Sequence, residues 1–206
     1  MPKSSELDFP SILAFSVHEM KNSLSTINEL IQQFAKHDLM QHHKELVQLE
    51  FEANRMNNSL TQLLILYKID DSKFSPDIDE HLVSDILNEV AAQQASLFAL
   101  NGIQLDLDCP DDLTCYCDLN LISNGLSTVI NNAQRYADQQ ILVTAAAQDG
   151  YVMFTVEDDG KGYPEHFLIP NLMDQTSVNL NTGSTGLGLY FVATVAGMHT
   201  NADNKG

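Results

Sequence analysis

Apolar residues recur at alternating steps of four and three along the first part of the chain. The repeating positions are Leu13, Val17, Met20, Leu24, Ile27, Ile31 and Phe34. This spacing predicts a helix that packs against other helices along one seam. Asp8 suits the N-cap and Pro10 is tolerated in the first turn, so we expect the helix to extend from there to about Lys36.

A second seam of the same kind follows a short polar break at residues 37–41. Its positions are Leu46, Leu49, Ala53, Met56, Leu60, Leu63 and Tyr67. Two long helices joined by a short break predict an antiparallel hairpin. Because one hairpin cannot bury its seams on both sides, we expect two copies to form a homodimeric four-helix bundle. The alternative is a hairpin that packs on the rest of its own chain.

The helical spacing ends at residues 70–77, where polar residues and Pro76 interrupt it. Beyond this point the patterns alternate: a helix over 82–100, strands over 103–107 and 113–117, a helix over 118–137 capped by Asp118, strands over 141–147 and 151–156 joined at Asp149-Gly150, and a helix over 187–196. Such alternation predicts an α/β sandwich with helices on one face of a mixed sheet. We expect a helical hairpin domain at 1–72, a linker at 73–79 and an α/β domain at 80–206.

Charge and cysteine usage narrow the class of protein. The formal net charge is -18 and the sequence pI about 4.4, which argues against binding to nucleic acid or anionic membranes. No apolar run is long enough to span a bilayer, and residues 1–6 lead into no signal-peptide core, so we expect a soluble, cytoplasmic protein. Cys109, Cys115 and Cys117 lack zinc-site spacing, and we interpret them as reduced structural thiols.

Candidate chemistry in the first helix centres on His18. It stands one place off the apolar seam, so we expect its ring to face solvent. Glu19 follows it directly and Asn22 lies one turn further on the same face. A lone helical histidine is more often a surface or packing residue, but a neighbouring carboxylate can tune and orient the imidazole.

The α/β region contains two glycine-rich stretches. One, at residues 156–162, directly follows a strand, and the other, at 183–189, directly precedes an apolar helix. Glycine-rich turns that open a helix let backbone N–H groups approach phosphates. Each stretch alone is a weak signal. Together with the polar residues 131–136 they offer an amide for magnesium, a cation for phosphate and an acid for an adenine amine.

These stretches together resemble the sequence boxes of sensor histidine kinases. His18-Glu19-Met20-Lys21-Asn22 is similar to the H-box, and Asn132-Ala133-Gln134-Arg135-Tyr136 to the N-box. Residues 158–162 match the G1 box and 186–189 the G2 box. The resemblance covers nearly the whole chain. It implies a dimerisation and histidine phosphotransfer domain followed by a Bergerat-type ATP-binding domain, the type shared with gyrase and mismatch-repair ATPases.

By this resemblance, His18 is the expected phosphoacceptor and Glu19 its acid–base partner. A magnesium ion is expected on Asn132, with Arg135 and Tyr136 beside the phosphates. The expected adenine ligand is Asp158, flanked by Gly160 and Gly162, and the phosphates are expected near Gly186, Leu187 and Gly188. ATP and Mg²⁺ are the implied cofactors.

The implied partner is the receiver domain of a response regulator, which takes the phosphoryl group on an aspartate. Glu19 and Asn22 also suggest phosphatase activity toward that receiver. No sensor domain precedes His18, so we expect input from a separate protein or a region beyond this sequence.

Several departures from the family pattern bear on activity. Ser23 stands in place of the usual proline, Thr128 in place of the first N-box asparagine, and Lys161 and Tyr163 replace the usual G1 residues. Phe167 or Leu172 could stand in for the F-box aromatic, within a polar segment that we expect to act as a mobile lid. The chain ends before the usual closing strands, so we expect truncation or an exposed sheet edge.

The alternatives to an active kinase are an adaptor with a degenerate ATP domain and an ATPase clamp. Nucleotide binding would separate the kinase from the adaptor. Dependence on His18 would separate the kinase from the clamp, which gives no reason for His18 and Glu19 to stand together on a bundle helix.

Overall fold

The computed structural model describes residues 9–34, 43–70, 74–162 and 187–199. In chain order the elements are α1 (Phe9–Phe34), α2 (His43–Asp70), β1 (Asp79–Leu82), α3 (Val83–Asn101), β2 (Gln104–Asp108), β3 (Thr114–Cys117), α4 (Leu119–Gln134), β4 (Gln140–Gln148), β5 (Tyr151–Asp158) and α5 (Leu187–Met198). The chain divides into two compact units. The first contains α1, α2 and the first turn of α5, Leu187–Tyr190, and the second contains Ser75–Gly162 and the rest of α5 from Phe191.

The helices α1 and α2 pack against each other, as the two seams predict. The residues buried on α1 lie one position from the predicted seam and include Ile12, Ser16, Ser23 and Leu30. The predicted cap Asp8 and the break at 37–41 lie outside the described residues. The combination of a helical region with an α/β region agrees with the predicted fold class.

Polar side chains are buried in the middle of the hairpin. They are Ser16 and Ser23 on α1 and Glu52, Ser59 and Gln62 on α2. Several of the predicted seam residues are instead exposed: Leu13, Val17 and Leu24 on α1, and Leu46, Leu60 and Tyr67 on α2. The hairpin therefore buries polar side chains beside apolar ones, which are Ile12, Leu30, Val47, Leu63 and Leu66, and it exposes an apolar outer stripe.

The second unit is built on a three-stranded mixed sheet in the order β2-β4-β5. β2 pairs with β4 in parallel, and β4 pairs with β5 in antiparallel register. The predicted hairpin turn is present: Asp149 and Gly150 both have positive φ, at 51° and 83°, as a two-residue turn between twisted strands requires. The sheet has the mixed pairing that the sequence predicts.

Helices α3 and α4 supply most of the helical side of the core. Their buried residues meet Ile141, Val143 and Ala145 of β4 in one cluster. A second, two-stranded antiparallel ladder pairs β1 with β3. β1 was not predicted, because Asp79-Glu80-His81-Leu82 shows no apolar alternation. Within the described parts of the chain, no helix combines the length and apolar composition needed to cross a bilayer.

Candidate functional site

The residues after α4 and the residues at the end of β5 lie in direct contact. A Cβ atom at Gly160 would overlap the backbone carbonyl oxygen of Tyr136. Glycine at this position therefore allows the two segments to touch. The structure thus brings the segment that resembles the N-box next to the one that resembles the G1 box.

Asp159 holds this junction together. Its carboxylate accepts backbone hydrogen bonds from Asp138 at 2.9 Å, from Gln139 at 3.0 Å and from Gln140 at 3.1 Å. The N–H of Asp159 donates in turn to the carbonyl of Gln140 at 3.2 Å. The bonds from Gln139 and Gln140 lower the pKa of the Asp159 carboxyl, because they stabilise the ionised form.

Asp158, the expected adenine ligand, is partly buried at the end of β5. Its Oδ1 accepts a hydrogen bond from the N–H of Gly160 at 3.0 Å. Among the described residues, this is the one hydrogen bond that its side chain makes. That bond fixes the carboxylate orientation and leaves acceptor capacity for a ligand, since a carboxylate offers about four lone-pair sites. Gly162 has a φ of 74°, a left-handed conformation that favours glycine.

Helix α4 begins as the sequence predicts. Asp118 caps it by accepting a hydrogen bond from the N–H of Leu121 at 3.1 Å. The helix ends at Gln134, so Asn132 lies in its last turn and is partly buried. Arg135 and Tyr136 follow directly and are exposed. Tyr136 therefore contacts Gly160 through its backbone, and Asn132 and Arg135 precede it by about one turn or less of chain.

Two other polar residues of α4 bear on metal binding. Thr128 donates its hydroxyl to the carbonyl of Asn124 at 2.7 Å, along its own helix. The side-chain oxygen of Asn131 is buried and has no hydrogen-bond partner among the described residues. Carboxamide oxygens suit Mg²⁺, which commonly takes one or two protein ligands beside the phosphates. The carboxamide of Asn132, the expected ligand, is a donor of the type that this cation takes.

The H-box residues lie in α1. The expected orientation of the His18 ring concerns a side chain outside the described ones, although its backbone is helical. Asn22, one turn later, is exposed. Glu19 is partly buried, and its Oε2 accepts a hydrogen bond from the hydroxyl of Ser59 on α2 at 3.4 Å. The proposed acid–base residue is thus in contact with the second helix.

One turn after His18, Arg55 of α2 crosses to α1. Its Nη2 donates to the Ser23 hydroxyl at 2.7 Å, and its Nε pairs with Glu52 at 2.9 Å. Ser23, which replaces the usual proline, is 2% exposed. A polar cross-link therefore occupies the place where the family pattern has a ring. α1 is one continuous helix through this position.

Some of the expected site residues fall outside the described ones. These are Tyr163, Phe167, Leu172 and Gly186. Leu187 and Gly188 open α5, and Leu187 is buried. Sequence reasoning missed the roles of Asp159 and Arg55. An acid next to the expected adenine ligand was the signal available for Asp159, whereas nothing in the spacing distinguished Arg55 from a solvated residue.

The similarity to known proteins covers both units. Residues 117–203 match the family of histidine kinase-, DNA gyrase B- and HSP90-like ATPases. A probable sensor histidine kinase HK from Mycobacterium tuberculosis is 33% identical over 159 residues, which are 74% of this chain and 41% of that protein. The sensor histidine kinase component HK1 of the same species is 35% identical over 128 residues, 59% of this chain and 73% of that protein.

A solved histidine kinase structure has a similar fold. The Acinetobacter baumannii histidine kinase AdeS matches with a TM-score of 0.57 at 17% identity, covering 86% of this chain and 85% of that one. At such identity the likeness concerns the fold alone. The sequence relatives carry the assignment, and the chain spans less than half of one of them and about three quarters of the other. On these grounds the chain belongs to the sensor histidine kinase family.

Proposed function

We propose that this protein is an ATP-dependent histidine kinase that phosphorylates His18 and passes the phosphoryl group to an aspartate of a response-regulator receiver domain. The observation that carries the proposal is the contact between Gly160 and Tyr136, closed by the Asp159 hydrogen bonds. It places Asp158 and the end of α4 at one junction, as a nucleotide site built from these two segments requires.

In the proposed reaction a ring nitrogen of His18 attacks the γ-phosphorus of ATP. The N–P bond forms while the bond from phosphorus to the bridging oxygen breaks, so that ADP leaves. Glu19 accepts the ring proton, and its contact with Ser59 supports this role by limiting the positions of the carboxylate. Asp158 binds the adenine amino group, with Gly160 and Gly162 shaping that wall. Gly186, Leu187 and Gly188 lie beside the phosphates at the start of α5.

Asn132 is the proposed protein ligand for Mg²⁺, with Arg135 and Tyr136 beside the phosphates. When bound, the cation would neutralise charge on the phosphates. The domain limits are proposed as 1–72 for the hairpin, 73–79 for the linker and 80–206 for the ATP-binding domain. The change of compact unit between Phe74 and Ser75 supports the boundary near the linker, whereas Leu187–Tyr190 group with the first unit.

A homodimer is the proposed assembly. Leu13, Val17, Leu24, Leu46, Leu60, Leu64 and Tyr67 are between 37% and 58% exposed on α1 and α2. Within the hairpin, the buried residues include the polar side chains of Ser16, Ser23, Glu52, Ser59 and Gln62 as well as apolar ones. A second copy of the hairpin would cover the outer stripe and complete a four-helix bundle.

The test is incubation with γ-labelled ATP and magnesium. We expect acid-labile, alkali-stable label on the wild-type chain and none on His18→Ala. Asp158→Ala should weaken ATP binding about tenfold or more, the range for a lost charged hydrogen bond. Asp112→Ala is the matched control, since it removes the same charge from an exposed loop position. ATP hydrolysis that survives His18→Ala would indicate a clamp instead.

The second candidate function is an adaptor with a degenerate ATP domain. Thr128 favours it, because its hydroxyl bonds back to the α4 backbone where the family pattern has an asparagine. A folded protein that takes up no label and binds no nucleotide would establish this alternative. Thr128→Asn should then fail to restore labelling if other parts of the site are also degenerate.

Phosphatase activity toward the receiver is a further part of the proposal. Asn22 supports it because the residue is exposed one turn after His18, where an amide could orient a water molecule. We expect Asn22→Ala to keep autophosphorylation and to lengthen the lifetime of the phosphorylated receiver. Equal lifetimes with wild-type protein and Asn22→Ala would contradict this role.

A further inference from the structure

Two of the three cysteines lie side by side on β3. The Sγ atoms of Cys115 and Cys117 are 3.4 Å apart. Residues two apart on a strand share one face, and here that face packs on the core. Cys117 is buried, whereas Cys115 is partly exposed. The pair therefore combines close sulfur contact with access from solvent.

We propose that Cys115 and Cys117 form a reversible disulfide within β3 when the protein meets a peroxide. The Cys115 thiolate attacks one oxygen of hydrogen peroxide, which breaks the O–O bond and gives a sulfenic acid and hydroxide. The hydroxide takes up the proton that the thiol released on ionising and becomes water. The Cys117 sulfur then attacks the sulfenic sulfur, and a second water leaves as the S–S bond forms. Both thiols are oxidised and one peroxide is reduced.

The hydrogen bond between the thiols favours Cys115 as the attacking group. The bond from Cys117 lowers the pKa of the Cys115 thiol, and the same bond with burial raises the pKa of Cys117 well above its usual range. At Cys109, burial and then Asp111 and Asp108 raise the pKa. Because the thiolate is the nucleophile, Cys115 should react before the other two.

The backbone spacing explains why the bond should be reversible. Cα atoms two apart on a strand are about 6.6 Å apart, near the upper end of the range of roughly 4.4–6.8 Å for disulfides. A disulfide at that limit is strained and easily reduced. In the described sheets β3 pairs with β1 alone. The unpaired edge of β3 can therefore move without breaking hydrogen bonds to another strand.

A metal site is the competing explanation of two close thiols. Zinc in structural sites takes four ligands, and the described residues contain no group of three or more His, Cys, Asp or Glu side chains arranged to hold a metal. Oxidation needs only the two sulfurs. The observations therefore favour the disulfide.

The proposed disulfide lies next to a residue that contacts several other segments of the second unit. Cys117 directly precedes Asp118, whose carboxylate caps α4 and also accepts the N–H of Asp77 at 3.0 Å. The N–H of Asp118 donates to Nε2 of His199 at 2.9 Å. A change in the backbone of β3 would therefore move Asp118, which joins the start of α4 to Asp77 and His199.

The test treats the full chain with hydrogen peroxide, blocks free thiols with a maleimide and maps them by mass spectrometry. We expect the three thiols of the untreated chain to fall to one, Cys109, with a Cys115–Cys117 linkage that a dithiol reductant reverses. Cys109→Ser, the matched control, should form the same linkage. Cys115→Ser should leave Cys117 reduced.

A second variant tests the role of Cys117 with little risk that the protein unfolds. Because Cys117 is 3% exposed, Cys117→Ala tests that position by deleting only the sulfur, and Cys115 should then stop at the sulfenic or sulfinic acid. Phenylarsine oxide, which bridges paired thiols, should protect wild-type protein but not Cys115→Ser from the maleimide. Three free thiols after peroxide, or a linkage through Cys109 or to a second chain, would overturn the proposal.

Discussion

At the residue scale, the candidate site depends on a glycine that has no room for a side chain. Gly160 lies against the carbonyl oxygen of Tyr136, and backbone atoms cannot move aside as a flexible side chain can. Asp158 and Asp159 directly precede Gly160. The Asp159 carboxylate accepts backbone hydrogen bonds from the segment after α4, whereas Asp158 accepts its bond from Gly160 itself. Asp159 and Gly160 thus hold the end of β5 against that segment.

Gly160→Ala should therefore damage both stability and nucleotide binding. The added methyl must push the two segments apart, at a cost of about 1–3 kcal/mol for overpacking. Thermal denaturation and titration with a fluorescent ATP analogue would measure the two effects. Gly197→Ala in α5 is the control, because a Cβ there meets nothing within 4 Å. Equal ATP affinity in Gly160→Ala and wild type would contradict the proposed site.

Asp159 should make stability depend on pH in the acid range. Its pKa is lower in the folded protein than in the unfolded chain, so its contribution is full above the unfolded pKa of about 3.9. The contribution is lost as pH falls through the lower, folded pKa. Asp159→Asn should have a flatter dependence of melting temperature on pH below about 4.

The control for this prediction is Asp112→Asn, which removes the same charge from an exposed position in another loop. Asp106 also has a lowered pKa, caused by Gln104 and Gln140, so some acid dependence should persist in Asp159→Asn. Identical pH profiles for wild type and Asp159→Asn would show that the backbone hydrogen bonds to the Asp159 carboxylate do not contribute to the pH dependence of stability.

At the scale of elements, α1 and α2 meet through an unusual interior. Arg55, Glu52 and Ser23 form a cross-link one turn beyond His18. Buried polar contacts of this kind fix register between helices more than they add stability. Leu13, Val17 and Leu24 of the α1 seam are exposed on the outside of the hairpin.

Removing the cation alone should be costly. Arg55→Met leaves the Glu52 carboxylate, whose side chain is 10% exposed, without its partner, and we expect a loss of roughly 3 kcal/mol. The double variant Glu52→Gln with Arg55→Met should recover part of it. Chemical denaturation followed by circular dichroism would measure both.

Lys68→Met is the matched control for Arg55→Met, since it removes an exposed cation from the same helix and should change stability by about 0.5 kcal/mol or less. Equal losses for Lys68→Met and Arg55→Met would mean that the cross-link contributes little. If the Arg55→Met protein is stable and His18 is labelled normally, Arg55 has no role in positioning His18.

The elements that sequence pattern could predict are those with strong periodicity. The bounds of α3, β3, β4 and α5 lie within two residues of the predicted ones. β1 was missed because its pairing with β3 depends on a distant partner and not on its own four residues. The Asp159 contacts were missed for the same reason, since backbone donors 19–21 residues away leave no mark in composition.

The helical seams show a different limit. Periodicity located the apolar stripe correctly, but it did not show that Ser16 and Ser23, one residue away, lie in the hairpin interior. Heptad spacing marks which face is apolar. It does not state whether that face meets the same chain or another one.

At the scale of the whole molecule, the exposed stripe predicts association. Leu64 is 58% exposed and Leu13 is 42% exposed. Leu64→Glu and Leu13→Glu should shift the protein from dimer to monomer by introducing charge into the exposed stripe of the hairpin. Size-exclusion chromatography with light scattering would measure the mass. A wild-type monomer at all concentrations would contradict the assembly.

Met153→Glu is the matched control for association. Met153 is 48% exposed on β5, so the substitution also adds an acid at an exposed apolar position, but outside the helical hairpin. We expect it to remain dimeric. If Met153→Glu and Leu64→Glu both dissociate, the cause would be general repulsion due to the net charge of -18, and not a charge in the exposed stripe of the hairpin.

The parallel pairing of β2 with β4 has a consequence for the order of folding. Gln104 pairs with Gln140, so β3 and α4 must be synthesised before this ladder can close. Contacts between such distant residues form slowly, because the intervening chain must be ordered first. The helical hairpin is complete once its two helices exist. On a ribosome, the unit that carries His18 can therefore assemble first, before the sheet that carries Asp158 has all its strands.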